Sequence, residues 1–209
     1  MRKLVYFVGM SLDGYIAGPG DDISFYPIGE DMWDWMRTEY PETLPTHVRP
    51  HIGLAVDAPN QKFDTLVMGR GTYDPALAIG VTSPYSHTRQ YVVSSSLGCI
   101  DDPTVELVDG DPIGLVRRLK QEDGMDIWLA GGGNLAAQLL GDIDELVIKS
   151  YPVVAGTGTP AFAGEFNPTL FTPTKRAEFA NGAQVTWLTR ARGPISSPAV
   201  GGSPVVAQK

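Results

Sequence analysis

Small and hydroxyl-bearing residues recur in this sequence where an apolar run gives way to a helix-like stretch. The sharpest example is residues 127–136 (IWLAGGGNLA), in which a strand-like run ends in Gly131, Gly132 and Gly133. Glycines let a ligand approach the backbone, and the free N–H groups at the start of a helix attract an anion. The segment therefore predicts a phosphate site, although a tight strand-to-helix turn alone would also use glycines.

The glycine spacing also fits the fingerprint of classical dinucleotide-binding folds, with Gly131, Gly133 and Ala136 in the diagnostic places. Those folds continue with several parallel strands after the motif. Here only one further strand and a hairpin are predicted. The sequence therefore favours a dinucleotide site of another type.

Two further segments extend this pattern. Residues 66–73 (LVMGRGTY) add Arg70, a planar fork suited to phosphate, and Thr72, a residue type that caps helices. Another strand-like run ends in residues 94–96 (SSS). Because parallel strands end at one edge of a sheet, we expect all three segments to meet there. Taken singly, each has a plainer interpretation: a surface ion pair for Arg70, a simple cap for Thr72 and an ordinary turn for the serines.

Strand-like and helix-like runs alternate along the chain, which predicts an α/β fold with a mainly parallel sheet. The pair Asn181-Gly182 tolerates the positive φ angles of a tight turn and predicts a C-terminal antiparallel hairpin. The predicted strands cover residues 3–10, 65–68, 90–94, 126–130 and 145–150, the predicted helices 31–40, 72–79, 112–122 and 135–140, and the hairpin 175–179 and 184–189.

Length and composition indicate one globular domain. The 209 residues are 43% hydrophobic and 19% charged, which excludes wholesale disorder. We expect the domain to cover residues 1–190 and residues 193–209, rich in Gly, Pro and Ser, to form a flexible tail. The proline-containing residues 41–64 predict a long loop of the kind that often borders a site.

The charge balance and the lone cysteine limit which binding partners and metal sites are expected. A net charge of −8 makes nucleic acid an improbable partner, since phosphates would be repelled. No apolar run is long enough to span a bilayer, so we expect a cytoplasmic protein. Cys99 has no partner for a disulfide, and the prolines around His47 and His51 disfavour a helical metal pair, so no metal is expected.

Taken in order, five motifs resemble the dihydrofolate reductase-like superfamily, and within it the reductase domain of bacterial riboflavin-biosynthesis deaminase-reductases. The resemblance spans residues 2–190 and implies NADPH as hydride donor, a single-domain sheet covered by helices on both faces with a C-terminal hairpin, and often a homodimer. The motifs are residues 10–17 (MSLDGYIA), 68–73 (MGRGTY), 94–96 (SSS), 131–135 (GGGNL) and 152–162 (PVVAGTGTPAF).

The resemblance also implies a path for the cofactor. It places the adenosine-side phosphates, including the 2′-phosphate, near the ends of two strands, and the pyrophosphate at the glycine-rich turn. It places the nicotinamide against the backbone of Gly9 and Ile16, with the Asp13-Gly14 turn opening a mobile loop over the ring. The same two residues, Asp13 and Gly14, would equally suit a tight turn after the first strand. The implied cofactor-binding residues are Gly9, Ile16, Gly69, Arg70, Gly71, Thr72, Ser94, Ser95, Gly131, Gly132, Gly133, Asn134 and Leu135.

For the substrate side, the helix-like residues 31–37 (DMWDWMR) resemble the helix that carries the carboxylate of dihydrofolate reductases. Asp31 stands in the matching place and Trp35 lies one turn further on the same face, with Asp34 beside them. Asp31 and Asp34 are therefore the candidate catalytic groups, and Asp31 and Trp35 the candidate substrate-binding residues. Both aspartates could equally favour the start of a helix and face solvent.

The expected activity is NADPH-dependent transfer of hydride to a C=N or C=O bond of a small heterocyclic substrate. The long segment 41–64 and the Ser-Leu-Asp-Gly turn at residues 11–14 depart from true dihydrofolate reductases and make folate a doubtful substrate. Two alternatives stay open: the riboflavin-pathway reductase acting on a ribosylaminopyrimidine phosphate, and a non-catalytic nucleotide-binding protein of the same fold.

Overall fold

The computed structural model describes residues 1–191, and within them eight strands form one sheet in the order β5-β4-β3-β6-β1-β7-β10-β9. Neighbours from β5 to β7 are parallel, whereas β10 and β9 add an antiparallel hairpin. The predicted fold class, with its mainly parallel sheet and C-terminal hairpin, is confirmed. The sheet strands are β1 (Leu4–Met10), β3 (Phe63–Gly69), β4 (Arg89–Val93), β5 (Val105–Val108), β6 (Asp126–Gly131), β7 (Glu145–Ser150), β9 (Phe171–Glu178) and β10 (Gln184–Arg190).

Helices cover both faces of this sheet, because a parallel strand pair needs a crossover connection. Side chains alternate along β1: Tyr6 and Val8 pack on one face with α3 and α4, and Phe7 on the other with α1 and α2. The helices are α1 (Glu30–Glu39), α2 (Arg70–Ala78), α3 (Pro112–Leu119) and α4 (Gly133–Gln138).

The helix boundaries follow local chemistry. Helix α3 begins after Asp111, whose side chain accepts a hydrogen bond from the Gly114 N–H at 2.8 Å, and Pro112 occupies its first turn. Helix α2 begins directly after Gly69, without a side-chain cap. The interpretation of Thr72 as the cap of this helix is therefore wrong, since the helix starts two residues earlier than predicted.

Residues 40–62, which join α1 to β3, are ordered by two buried charged side chains. The Glu42 carboxylate accepts hydrogen bonds from the N–H groups of residues 61–63, at 2.7–3.1 Å. The Arg49 guanidinium donates to the carbonyl oxygens of Leu44, Val56, Ala58 and Pro41. Both side chains are fully buried, so this connection is a packed wall with two short 3-10 turns, Pro41–Thr43 and Arg49–Ile52.

Three short strands were absent from the sequence prediction. Strand β5 is a four-residue edge strand, and β2 (Tyr15–Ala17) pairs with β8 (Thr159–Pro160) in a separate two-stranded sheet. Strand β9 also begins earlier than predicted, and its exposed Pro173, Lys175 and Arg176 lie on the outer edge of the large sheet. The predicted tail, residues 193–209, lies outside the described residues.

Candidate active site

A cavity of about 570 Å³ opens where β1, β6 and β7 end at the carboxyl edge of the sheet. Its lining includes Gly9 of β1, Ala130 of β6 and Lys149 of β7. Helix α2 closes a second side with Thr72 and its neighbours, and the 40–62 connection a third. This is the edge at which open α/β sheets bind ligands.

Two glycine-bearing strand ends approach each other beside the cavity. A Cβ atom on Gly69 would lie 3.5 Å from the backbone nitrogen of Gly132. Gly131 has a φ of +116°, which side-chain-bearing residues rarely adopt, and its peptide bond to Gly132 is cis. A Cβ on Gly132, in contrast, would meet no atom within 4 Å and would project into open space. That open space is where a ligand could contact the backbone.

The structure brings five of the predicted cofactor residues together in the cavity lining: Gly9, Ile16, Gly71, Thr72 and Gly132. Gly131 lies beside them, since a Cβ there would be 3.8 Å from both the Ile16 Cδ1 and the Thr72 Oγ1 atoms. Residues far apart in the sequence thus converge at one place. Their role in cofactor binding stays a prediction.

Arg70 and the serines lie outside the lining of the cavity. The Arg70 guanidinium donates to the Asp74 carboxylate at 3.1 Å and to the Ser96 hydroxyl at 3.0 Å, which joins the start of α2 to the end of β4. The Ser94 hydroxyl accepts from the N–H groups of Ser96 and Leu97 and so shapes the turn. Ser95 is exposed. Arg70 is also nearly half-exposed, so its guanidinium is accessible to an anion.

Three further predicted residues have evident structural contacts. A Cβ on Gly133 would lie 2.0 Å from the Pro160 carbonyl oxygen, so glycine is needed there for the approach of β8. Asn134 accepts a hydrogen bond from the Gln138 side chain at 2.6 Å, and Leu135 is buried in the core. None of the three lines the cavity, and their proposed contact with pyrophosphate stays a prediction.

The predicted substrate-side residues on α1 also lie outside the cavity lining. The Asp31 carboxylate accepts from the N–H groups of Met32 at 2.9 Å and Ala180 at 2.8 Å, and so joins α1 to the hairpin turn. Asp34 forms an ion pair with Arg37 on the exposed side of the helix. Trp35 packs against Tyr40, Phe179 and Trp187. The catalytic and substrate-binding roles of these residues remain untested predictions.

The turn after β1 is fastened to the segment after β7. The Asp13 carboxylate accepts from the Ser11 hydroxyl and from the N–H groups of Ala155 and Gly156, at 2.6–2.9 Å. These hydrogen bonds, that from Ser11 above all, lower the pKa of Asp13 to about 2. The carboxylate is therefore ionised at neutral pH and holds this side of the cavity in place.

Several cavity residues were not identified from the sequence. They include the aromatic side chains of Phe7, Tyr26, Trp128 and Tyr151, and the ammonium group of Lys149. Lys149 could have been noticed, because it interrupts an apolar strand at a position that shares a sheet face with buried Val147. Burial lowers the pKa of Lys149 to about 8.

A second cavity, of about 630 Å³, lies near α4 and residues 162–171, and Glu165 is the one ionisable side chain that the described part of the chain contributes to its lining. Across residues 1–191, no group of three or more His, Cys, Asp or Glu side chains is arranged to hold a metal ion. In the same part of the chain, no helix combines the length and the apolar character needed to cross a membrane.

Comparison with known proteins gives a consistent relationship. The family described as the RibD C-terminal domain matches residues 2–185. The Bacillus subtilis protein "Uncharacterized protein YwjB" is 28% identical over 189 residues, which cover 90% of this chain and 98% of the relative. "Uncharacterized protein YyaP" from the same organism is 26% identical over 174 residues, covering 77% and 80%.

Two solved structures share the fold. A "Putative riboflavin biosynthesis protein" from Shewanella sp. PV-4 superimposes with a TM-score of 0.65 at 24% identity, over 92% of this chain and all of that one. A diaminohydroxyphosphoribosylaminopyrimidine deaminase/5-amino-6-(5-phosphoribosylamino)uracil reductase from Thermotoga maritima gives 0.60 at 15% identity. The match covers 91% of this chain and 57% of the Thermotoga chain. At these identities the similarity extends to the fold.

Proposed function

Because the chain belongs to the RibD C-terminal domain family, we propose that it is an NADPH-dependent reductase that transfers hydride to a C=N or C=O bond of a small heterocyclic substrate. The observation that carries the proposal is the cavity at the carboxyl edge, where the ends of β1 and β6 and the start of α2 meet beside open space at Gly132. A dinucleotide needs such a cleft, in which its phosphates contact backbone and its reactive ring enters a cavity.

The residues present fit the three parts of NADPH: the phosphate on the adenosine ribose, the pyrophosphate and the nicotinamide. Arg70 and Ser96 form an exposed donor group at the ends of β3 and β4, suited to a phosphate on the adenosine ribose. The room above Gly132 suits the pyrophosphate. Gly9 and Ile16, in the cavity lining, would contact the nicotinamide. When bound, NADPH would supply the hydride.

The protein itself would contribute position and a dry environment. Phe7, Tyr26 and Trp128 give the cavity aromatic walls, which orient a planar ring and exclude water from the reacting bond. The 40–62 connection, held by Glu42 and Arg49, closes the side of the cavity next to Thr43 and His47. Rigid walls of this kind hold two planar molecules in contact without a large cost in ordering.

A second candidate is reduction of a ribosylaminopyrimidine phosphate, the activity in the description of the Thermotoga protein. Family membership favours it, and within residues 1–191 Lys149 is the one Lys or Arg side chain that lines the cavity. The same Lys149 would then have to serve either a substrate carbonyl or the substrate phosphate. The two candidates differ in whether a ribosyl phosphate is required for turnover.

The test is cofactor titration followed by turnover. We expect NADPH to bind more tightly than NADH, and its absorbance to decay when a carbonyl- or imine-containing heterocycle is added. A panel of pterins, pyrimidine-diones, isatin and quinones, with and without ribosyl phosphate, separates the two reductase candidates. Equal affinities for NADPH and NADH would contradict the cofactor assignment. Tight NADPH binding without oxidation by any panel member would favour a nucleotide-binding protein.

A further inference from the structure

We infer that Lys149 binds the carbonyl oxygen or imine nitrogen of the substrate and donates the proton that completes the reduction. This inference rests on the proposed function and deepens it. It also narrows the substrate class to neutral planar rings with a carbonyl or imine acceptor. Rings that bind as cations are excluded from the class, because the Lys149 ammonium group would repel a positively charged ring at hydrogen-bonding distance.

The topology places Lys149 next to the reacting end of the cavity. Strands β1 and β7 are parallel neighbours, and Gly9 is the register partner of Lys149. A Cβ on Gly9 would lie 3.7 Å from the Cε atom of Lys149. Since Gly9 is the proposed backbone contact of the nicotinamide, a substrate stacked on that ring would lie within reach of the ammonium group.

The surroundings of Lys149 leave its charge without an anionic partner. Its Nζ atom lies 4.4 Å from the centroid of the Phe7 ring and 3.8 Å from the Met36 Sδ atom. None of the ion pairs formed within residues 1–191 includes Lys149, whereas exposed Lys3 and buried Lys120 both pair with carboxylates. A partly buried cation is stabilised when something accepts its hydrogen bonds, and a substrate oxygen or nitrogen would do so.

The three tyrosines of the cavity are poorer proton donors than Lys149. The cavity lining also holds Asp21, Tyr26, His47, Tyr85 and Tyr151. Burial raises the pKa of Tyr151 and of Tyr85 to about 12, and it raises that of Tyr26 further. The Tyr26 hydroxyl also donates to the Tyr15 carbonyl oxygen at 2.7 Å. The pKa of Lys149, about 8, lies nearest to neutral pH among these shifted groups and suits proton donation.

The proposed step balances as follows. Hydride adds to the carbon of the C=O or C=N bond, and the π electrons move to the heteroatom. The heteroatom takes a proton from the Lys149 ammonium group, which becomes a neutral amine. The substrate is reduced by two electrons and NADPH is oxidised to NADP⁺. The amine then regains a proton from water before the next turnover.

The test compares Lys149→Met with Lys175→Met. Lys175 is a matched control, because its Nζ atom also lies over an aromatic ring, 4.6 Å from the Trp187 centroid, but on an exposed strand. Isatin is the probe, since it offers a neutral ring carbonyl. We expect Lys149→Met to lower kcat by about 10²–10⁴-fold and to leave the Kd for NADPH within twofold, whereas Lys175→Met changes neither.

A pH profile separates proton donation from a structural role. We expect kcat of the wild type to fall as pH rises through about 8, where Lys149 loses its proton, and Lys149→Met to lose that dependence. Lys149→Arg, which keeps the charge but holds its proton, should retain much of the affinity for isatin and lose turnover. The melting temperature of Lys149→Met should not fall, because a partly buried charge without an anionic partner is removed. His47→Gln identifies any part of the profile that belongs to that histidine.

The outcomes distinguish this inference from the proposed function. If Lys149→Met retains wild-type kcat and pH profile on a substrate that is turned over, the inference is wrong and the proposed function stands. If NADPH is not oxidised with any ring, the proposed function and the proton-donating role both fail. Isatin affinity, measured by tryptophan fluorescence, then decides the binding role: an affinity equal in Lys149→Met and wild type overturns that part as well.

Discussion

Arg70 is the residue on which selection between the two nicotinamide cofactors depends most directly. Its guanidinium already bonds Asp74 and the Ser96 hydroxyl, so it is held near the ends of β3 and β4 in the position proposed for the 2′-phosphate. We expect Arg70→Ala to weaken NADPH binding by about 1.5–3 kcal/mol, the scale of a charged hydrogen bond, and to leave NADH nearly unaffected. Titrations with both cofactors measure this.

The control for that experiment is Arg89→Ala. Arg89 is an exposed arginine at the opposite, amino end of β4, where it pairs with Glu122. Arg89→Ala should change neither the NADPH nor the NADH affinity. An equal loss of NADPH and NADH binding in Arg70→Ala would mean that the arginine supports the fold of the turn and does not read the phosphate.

Gly132 gives a second prediction at this scale. A side chain there projects into open space, so Gly132→Val should fold normally but block a ligand that contacts the backbone. We expect at least a hundredfold loss of NADPH affinity with an unchanged circular dichroism spectrum. Gly141→Val is matched, because a Cβ at Gly141 also meets no atom within 4 Å but lies away from the cavity. If Gly132→Val retained its NADPH affinity, Gly132 would serve only the strand-to-helix turn and not ligand binding.

At the residue scale, the sequence predicted those candidate site residues that belong to a local sequence pattern. The glycines before α4 and the Arg70 turn were identifiable because strand, glycine and helix follow one another along the chain. Lys149 is visible in the sequence only as a charge within an apolar strand, and its place beside Gly9 exists only after β7 pairs with β1. For Asp31, the contact with the Ala180 N–H joins α1 to a hairpin far along the chain, and no local pattern indicates it.

Among the elements, the 40–62 connection depends most on a single side chain. Arg49 donates to four carbonyl oxygens, which would be left without their partners in Arg49→Met. We expect a loss of about 3 kcal/mol or more in the free energy of unfolding, measured by urea denaturation. Arg118→Met, at an exposed position on α3, should change it by less than about 0.5 kcal/mol. A similar small change in both variants would show that the connection is held by its prolines and packing.

The same connection shows where element prediction reached its limit. Residues 41–62 lie outside the α-helices and strands, as their prolines and lack of apolar periodicity predicted, but residues 63 and 64 of the predicted loop belong to β3. Their order comes from Glu42 and Arg49, whose partners are backbone groups that any sequence would provide. Strand β5 and the β2–β8 pair were missed for a related reason: two to four residues are too few to establish a period.

At the scale of the whole molecule, His87 couples stability to pH. Its ring bonds the Thr46 hydroxyl through Nδ1 and the Glu42 carbonyl oxygen through Nε2, and burial lowers its pKa from 6.5 to about 4. Between these values the unfolded chain binds a proton that the folded protein does not, so stability falls as pH falls from 6.5 to 4. Full linkage would make the His87 contribution to the loss between pH 7 and pH 5 about 2 kcal/mol, and solvent screening of this partly exposed ring reduces it to about 1 kcal/mol.

The measurement is urea denaturation of wild type, His87→Gln and His51→Gln at both pH values. His51 is an exposed histidine of the same connection and should leave the pH dependence unchanged. His87→Gln should be less stable than wild type at pH 7 and lose less on acidification. If all three proteins lost the same free energy of unfolding on acidification, the pH dependence would come from carboxylates and not from His87.

The edge strand β9 limits how copies of this chain can associate. A bare strand edge invites another chain to pair with it, and thereby to extend the sheet into a dimer or an aggregate. Here Pro173 lacks the N–H group that such pairing needs, Lys175 and Arg176 place positive charge along the edge, and the register with β10 shifts between Trp187 and Leu188. Two copies that met along this edge would repel each other through these positive charges. They would also lack a backbone N–H donor at the proline. We therefore expect the sheet to end at β9, and any homodimer of this protein to form through another surface.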